Sequence, residues 1–290
     1  MPSFSALYDR ANAERKALWR SRYVIPRREV GYMESCIPQS TDFFSDNLKT
    51  FAASIAHPVR FHRKFWEWAF IAHHLECEGA IGPGKRGLVF GVGTERLPAL
   101  FAVRGCEILA TDGPADVVTS DWQNTGQFAA DREKLFHEAI IDRETFNQRV
   151  QFEVCDMNAI GPHLRDFDFC WSSCCLEHLG DMKAGVRFIW NSLQCLKPDG
   201  VAIHTTEYNL SSNFDTIRHG HTCIYRKRDI AGLKKELADK GHVVRDLPLV
   251  LGLKDMDRHV DQPPYNEHMH LKLRFDEYDC TSYGLVIKAK

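Results

Sequence analysis

Two glycines one residue apart, Gly91 and Gly93, follow the apolar run Gly87–Phe90. A strand that ends in such a turn lets the backbone approach a ligand closely, because glycine has no Cβ. Thr94 reads as an N-cap, and Pro98 falls in the first turn of a helix through Ala102, so a helix N-terminus adds partial positive charge there. Asp112 ends a second apolar run, where a carboxylate can accept both hydroxyls of a ribose. Asp156 and Met157 follow a third run, putting a carboxylate and an apolar side chain where an adenine edge and face would lie. Beyond the fourth run stands His178; His204 and Glu207 end the fifth, and His219, His221 and Tyr225 lie in the next loop. In an open α/β sheet the ligand lies past the carboxyl ends of the strands, so these side chains are the candidates for a general base. Glu207 and His221 lead, ahead of His178 and His204.

The elements that must hold these residues alternate. Gly87–Phe90, Glu107–Thr111, Val150–Val154, Phe167–Ser172, Val201–Thr206, Val243–Leu247 and Tyr283–Lys288 read as strands. Helical patterns separate them, one with Met182, Val186, Ile189, Leu193 and Leu196 on a single face, another from Asp229 to Lys240 with Gly241 as its stop. This alternation predicts a doubly wound, mostly parallel seven-stranded sheet. Residues 1–84 read as an N-terminal helical cap, with Phe61, Phe65, Trp68, Ala72 and Leu75 at helical spacing and Trp66 and Phe70 widening that face. Residues 85–290 form the main domain, and the breaker run Ile81-Gly-Pro-Gly-Lys-Arg86 marks the boundary. Two insertions, 113–149 and 248–280, are long enough to suggest function, and the first is expected to carry a helix around Phe128–Ile140. Cap and insertions are expected to cover the crevice. That favours a small acceptor or a chain end, with Trp66, Trp68 and Trp122 available to stack on a ring.

Residues 87–206 resemble the class I S-adenosylmethionine-dependent methyltransferases. The resemblance rests on Gly91-Val-Gly93, Asp112, Asp156-Met157, Phe167–Ser173, Leu176-Glu-His178 and the turn Lys197-Pro-Asp-Gly200 before the fifth strand. It implies a Rossmann-like methyltransferase fold whose last strand, Tyr283–Lys288, runs antiparallel. It also implies that Gly91 and Gly93 cradle the methionine part of the cofactor, Asp112 the ribose, and Asp156 and Met157 the adenine, with Ser173 beside them. Two positions depart: Val89 stands where the family has an acid, and Glu95 where it has a third glycine. Glu95 is then expected either to contact the cofactor's ammonium or to face solvent. The implied activity is methyl transfer to an oxygen of a small molecule or glycan, with S-adenosylhomocysteine as product. N-methylation of a small metabolite and a non-catalytic adenosyl-binding protein are the alternatives. A nicotinamide dehydrogenase would share the glycine turn and the acid, but not Asp156 or the Lys-Pro-Asp-Gly turn.

Composition narrows the rest. The chain has 290 residues and a net charge of −2, without the basic excess that nucleic-acid binding requires. Its most apolar stretch, Phe65 to Ala72, is too short for a membrane span and contains Glu67. No signal-peptide core is evident at the N-terminus, and the ten cysteines form no Cys-x-x-Cys pair, which predicts a reduced, cytoplasmic protein. Asp257, His259, Asp261, His268 and His270 alternate suggestively, but magnesium prefers oxygen ligands and no metal is assigned. The second insertion reads instead as acceptor-pocket wall, with His259 and Tyr265 offering contacts. Gln262-Pro-Pro-Tyr265 resembles a motif of DNA amine methyltransferases, but Ser172–Glu177 holds that motif's place after the fourth strand. Nothing in the sequence sets the oligomeric state.

Overall fold

The computed structural model describes residues 4–114, 131–266 and 268–290. Its centre is an eight-stranded sheet built from β1 (Arg86–Phe90), β2 (Glu107–Asp112), β3 (Val150–Val154), β4 (Phe167–Ser173), β5 (Leu196–Asn209), β6 (Val243–Val244), β7 (Leu273–Phe275) and β8 (Tyr278–Lys288). The order is β7-β8-β5-β4-β1-β2-β3, with β6 pairing β8. Strands β1 to β5 are parallel and β8 is antiparallel to β5. The doubly wound expectation holds, with one strand more than the seven predicted. The extra strand, β7, forms a hairpin with β8 inside the second insertion, turning at Asp276, whose φ is 54°.

Three boundaries differ from the sequence reading. The residues Lys197-Pro-Asp-Gly200 are not a turn before β5 but a bulge within it. Asp199 has a φ of 63°, and the register against β4 shifts between Phe167 and Phe169. Strand β5 runs on to Asn209, so Glu207 lies within the ladder, opposite Ser282, rather than beyond it. The predicted strand Val243–Leu247 shrinks to two residues.

Helices α1 (Phe4–Arg22), α2 (Asp46–Ser54), α3 (Arg63–Cys77), α4 (Leu97–Val103), α5 (Arg143–Arg149), α6 (Met182–Leu193) and α7 (Lys227–Asp239) surround the sheet. Asp181 caps α6 through the Ala184 amide at 2.7 Å, and Gly241 follows α7 with a φ of 91°. α3 is pressed onto the sheet: at Gly284 of β8 a Cβ would lie 2.3 Å from the Phe70 ring, so only glycine admits that helix. Phe61 lies outside α3, in a short parallel pairing with Met269, and His62 caps the helix. One apolar core runs from Ile25 to Ala289, through α2, α3 and the sheet. The N-terminal segment and the second insertion are laced together as well: Leu251 exchanges backbone hydrogen bonds with Pro26 and Arg28, and Asp257 accepts from Ser40 N and Oγ at 2.7 Å each. Trp122 and residues 128–130 lie outside the described residues, but the helix expected around Phe128–Ile140 is corrected over the rest of its length: 132–135 form a short 3₁₀ turn and 136–140 are turn and irregular backbone.

Candidate active site

The sheet order reverses direction between β1 and β4, the crevice where doubly wound sheets bind ligands. A pocket of about 180 Å³ opens there, lined by the turn Gly91–Glu95, by Ser173 and Cys175 after β4, and by Lys64 and Trp68 of α3. The turn is built for close approach. Gly91 and Gly93 have φ values of 61° and 54°, and a Cβ at Gly91 would lie 2.7 Å from Cys175 Sγ and 3.6 Å from Met157 Sδ. Asp112 ends β2 beside it, accepting from Gly93 N at 3.0 Å and Gly113 N at 2.9 Å. Met157 is buried; Asp156 is half-buried and accepts from Asn158 N at 2.8 Å. The structure thus gathers Gly91, Gly93, Glu95 and Ser173 around one pocket, with Asp112 and Met157 against its turn.

Two expectations about the turn are corrected. α4 begins at Leu97 with Arg96 at its N-cap, so Thr94 is not the cap and the helix end stands back from the glycines. Glu95 does not face solvent: it is 4% exposed and accepts from Trp171 Nε1 at 2.5 Å. Burial pushes its carboxyl up to about 8, against the opposing pull of the Trp171 hydrogen bond and Lys64.

A second layer of polar side chains lies directly behind Ser173, where α3 meets β4, β5 and β8. Glu67, wholly buried in the apolar face of α3, accepts from Ser173 Oγ at 2.9 Å, Cys174 Sγ at 3.1 Å and Thr205 Oγ1 at 3.3 Å, and from Ser282. Lys64 Nζ pairs with it at 3.0 Å and also reaches the Ser173 carbonyl at 3.0 Å. Burial alone would raise Glu67, but Lys64 and Arg63 outweigh it and hold the carboxyl down to about 2. Arg63 spans from Glu67 at 3.6 Å to Glu207 Oε2 at 2.9 Å. The other carboxylate oxygen of Glu207, Oε1, is buried with no hydrogen-bond partner among the described residues. Burial drives the Glu207 carboxyl up to about 7, against the pull of Arg63. Glu177, which accepts from Thr206 Oγ1 at 3.1 Å, is likewise raised by burial. Cys174, at a φ of 48°, completes a group in which ligand atoms of Cys174, Glu177 and Glu207 lie within 4.8 Å of one another. A positive φ on a non-glycine residue is strain that the surrounding packing must hold.

The histidines divide. His178 borders this group: Nδ1 donates to the His221 carbonyl at 2.6 Å, which leaves the lone pair on Nε2, 4.0 Å from Glu177 Oε1. Burial holds its imidazole down at about 4. His204 is a correction. Fully buried, it binds Ser172 Oγ at 2.8 Å and Ser192 Oγ at 3.1 Å, so both ring nitrogens are spent in the core. His221 is a second correction: its side chain is exposed, and the atom His178 contacts is its backbone oxygen. The residues Asp257, His259, Asp261, His268 and His270 do not converge either. Asp257 is bound to Ser40, His259 and His268 are exposed, and only Asp261 and His270 meet, at 2.7 Å. Tyr265 is largely exposed, its hydroxyl donating to the Arg274 carbonyl.

Sequence reasoning missed Arg63, Lys64, Glu67, Cys174 and Glu177 as site residues. One signal was visible: a carboxylate in the most apolar stretch of the chain, with cations three and four residues before it, is a buried ion cluster on one helix face.

No family model matches this chain, and no curated protein does. Among solved structures, similarity is found to the N-terminal domain of EvdMO1 with S-adenosylhomocysteine bound, at 12% identity and a TM-score of 0.47 over 77% of this chain and 81% of that one. A TehB-like S-adenosylmethionine-dependent methyltransferase from Corynebacterium glutamicum aligns at 12% identity and a TM-score of 0.41, covering 83% of this chain and 94% of that one. The 1,6-didemethyltoxoflavin-N1-methyltransferase of Burkholderia thailandensis aligns at 17% identity and a TM-score of 0.43, over 96% and 90%. The assignment of a doubly wound fold rests on the strand order itself.

Proposed function

We propose that this chain transfers a methyl group from S-adenosylmethionine to an oxygen of a small molecule or glycan. The observation that carries the reading is the position of the glycine turn and Asp112 at the point where the strand order reverses, in a sheet whose last strand is antiparallel. The residues fit the cofactor: a turn that a Cβ would fill, an acid at the end of β2, and Lys64 and Glu95 in one pocket to meet a carboxylate and an ammonium. Gly91, Gly93, Asp112, Asp156, Met157 and Ser173 complete that set. When bound, S-adenosylmethionine supplies an activated methyl group, and the chain's main task is to align the acceptor with it, worth roughly 7–11 kcal/mol of barrier.

The base we assign is Glu207. Its carboxyl, raised to about 7, matches what a general base needs near neutral pH, and Oε1 has no hydrogen-bond partner among the described residues. Arg63 orients the carboxylate, and His178 borders the same group as a second proton acceptor. One observation favours an amine acceptor instead: among the described residues Glu67, Glu177 and Glu207 have Arg63 and Lys64 as their close Arg or Lys partners, three acids to two cations, an arrangement suited to a positively charged group.

Calorimetric titration with S-adenosylmethionine, S-adenosylhomocysteine and NAD tests the cofactor. Binding of the first two and not of NAD is expected. Binding of NAD alone, or of none of the three, overturns the reading. A turnover screen on sugars, phenols and amines then separates oxygen from nitrogen acceptors.

A further inference from the structure

Next to the candidate active site lies a larger cavity of about 840 Å³, between the N-terminal ends of α6 and α7. Lys183, Arg187, Arg218, Arg226 and Arg228 line it, with Tyr225 in its wall. Three acids share the lining, but two are already engaged. Asp229 holds Arg226 at 2.6 Å, and Asp181 caps α6. Neither Lys183, Arg187, Arg218 nor Arg228 makes an ion pair with a carboxylate among the described residues. Arg228 lies within the field of both Arg226 and Arg218, which, after burial, hold its guanidinium below its ordinary value. Arg226 and Arg228 both donate to the Phe214 carbonyl, which leaves Lys183, Arg187 and Arg218 as the cations with no carboxylate or carbonyl partner among the described residues, and a chain of net charge −2 that gathers these five cations around one concave surface has concentrated positive potential there.

The cavity is joined to the catalytic group by backbone. Tyr225 N donates to the Glu207 carbonyl at 2.9 Å, Cys223 N to the Glu177 carbonyl at 2.9 Å, and the Met182 amide to the Arg218 carbonyl at 3.3 Å. Residues 219–220 and 180–181 pair as a two-residue ladder between the cavity and the His178–His221 contact. The segment 223–225, which walls the cavity at Tyr225, is thus paired with the main chain of Glu177 and Glu207.

We propose that this cavity binds phosphate groups of the methyl acceptor, so that the substrate class is a phosphorylated small molecule or glycan. Guanidinium groups suit this role because their fork of donors matches phosphate oxygens bidentately. The inference deepens the methyl-transfer reading, but its binding test is independent of it.

The test uses the full chain and inorganic pyrophosphate as probe, titrated by calorimetry at low and physiological salt, without cofactor. Wild-type protein should bind pyrophosphate, more weakly as salt rises. Arg218→Glu and Lys183→Glu, both at exposed positions, should each weaken binding about tenfold, and should leave S-adenosylmethionine affinity and thermal stability unchanged. No pyrophosphate binding, or equal binding by wild type and both variants, overturns the proposal. A short single-stranded RNA that binds far more tightly through the same arginines would also overturn it, giving the cavity to nucleic acid. If pyrophosphate binds as expected but S-adenosylmethionine does not, the anion site stands and the methyl-transfer reading falls.

Discussion

Replacing Glu95 with glutamine separates a cost in stability from a gain in binding. The side chain is 4% exposed, and its hydrogen bond from Trp171 Nε1 does not require ionisation. Its carboxyl is raised from 4.5 to about 8, chiefly by burial. The folded chain therefore holds a proton that the unfolded chain releases between those two values. Stability that is complete below pH 4.5 must fall as pH rises to about 8. At about 1.4 kcal/mol per pH unit the full effect is about 5 kcal/mol, an upper limit because the charges of neighbouring Lys64, Glu67 and Asp112 are coupled to it. Glu95→Gln keeps the shape and the bond from Trp171 but cannot ionise. Urea denaturation from pH 5 to pH 9 should show the two proteins similar at pH 5, and the variant ahead by roughly 2–4 kcal/mol at pH 9. Cofactor binding should move the other way. If Glu95 meets the cofactor's ammonium, S-adenosylmethionine must release the proton on binding. The binding enthalpy at pH 7 should then vary with the buffer's ionisation enthalpy in wild type and not in the variant, which should bind more weakly. A stability difference that is flat from pH 5 to pH 9 would refute the burial argument. Equal affinity and equal proton release would refute the ammonium contact.

Three further outcomes are expected. Asp112→Ala should weaken S-adenosylmethionine binding by roughly 1–3 kcal/mol, read by calorimetry, because the carboxylate that braces Gly93 and Gly113 is lost together with its ribose contacts. Glu207→Gln should lower kcat on an oxygen acceptor about 100-fold or more with cofactor affinity retained, and should abolish the rise in rate as pH climbs through about 7; retention of that limb would refute Glu207 as the base. His204→Ala should cost roughly 2–4 kcal/mol in denaturation, since it leaves a cavity and orphans the Ser172 and Ser192 hydroxyls, while kcat of the folded fraction stays near wild type.

The sheet was legible in the sequence because its strands are short, apolar and separated by helices with clear faces. Those are local signals, and they carried over to the parallel order of β1 to β5; the antiparallel direction of β8 was implied by the family resemblance and not by those signals. The glycine turn and Asp112 were legible for a similar reason. A strand end fixes where the next few residues must lie, and Gly91 needs a conformation that other residues resist. The bulge at Asp199 was not, since a Pro-Asp-Gly run reads equally as a turn or as an interruption in a continuing strand.

Which histidines and acids are spent in the core and which are left as candidates was legible only in three dimensions. His204 and Glu207 stand three residues apart on β5, so their side chains point to opposite faces of the sheet. One is spent between Ser172 and Ser192, and the other meets Arg63 and keeps one oxygen without a hydrogen-bond partner among the described residues. Arg63, Lys64 and Glu67 enter the site because α3 crosses onto the sheet through Gly284, a contact between residues more than two hundred positions apart. The cationic cavity is hidden for the same reason. Lys183, Arg187, Arg218, Arg226 and Arg228 never form a run along the chain, and their charges add only because α6 and α7 bring them around one space. Periodicity and turn chemistry are properties of neighbours in sequence, and they determined the sheet and its glycine turn. Burial, pairing and summed potential are properties of neighbours in space, and the ion cluster, the cationic cavity and the proposal of Glu207 as base all rest on them.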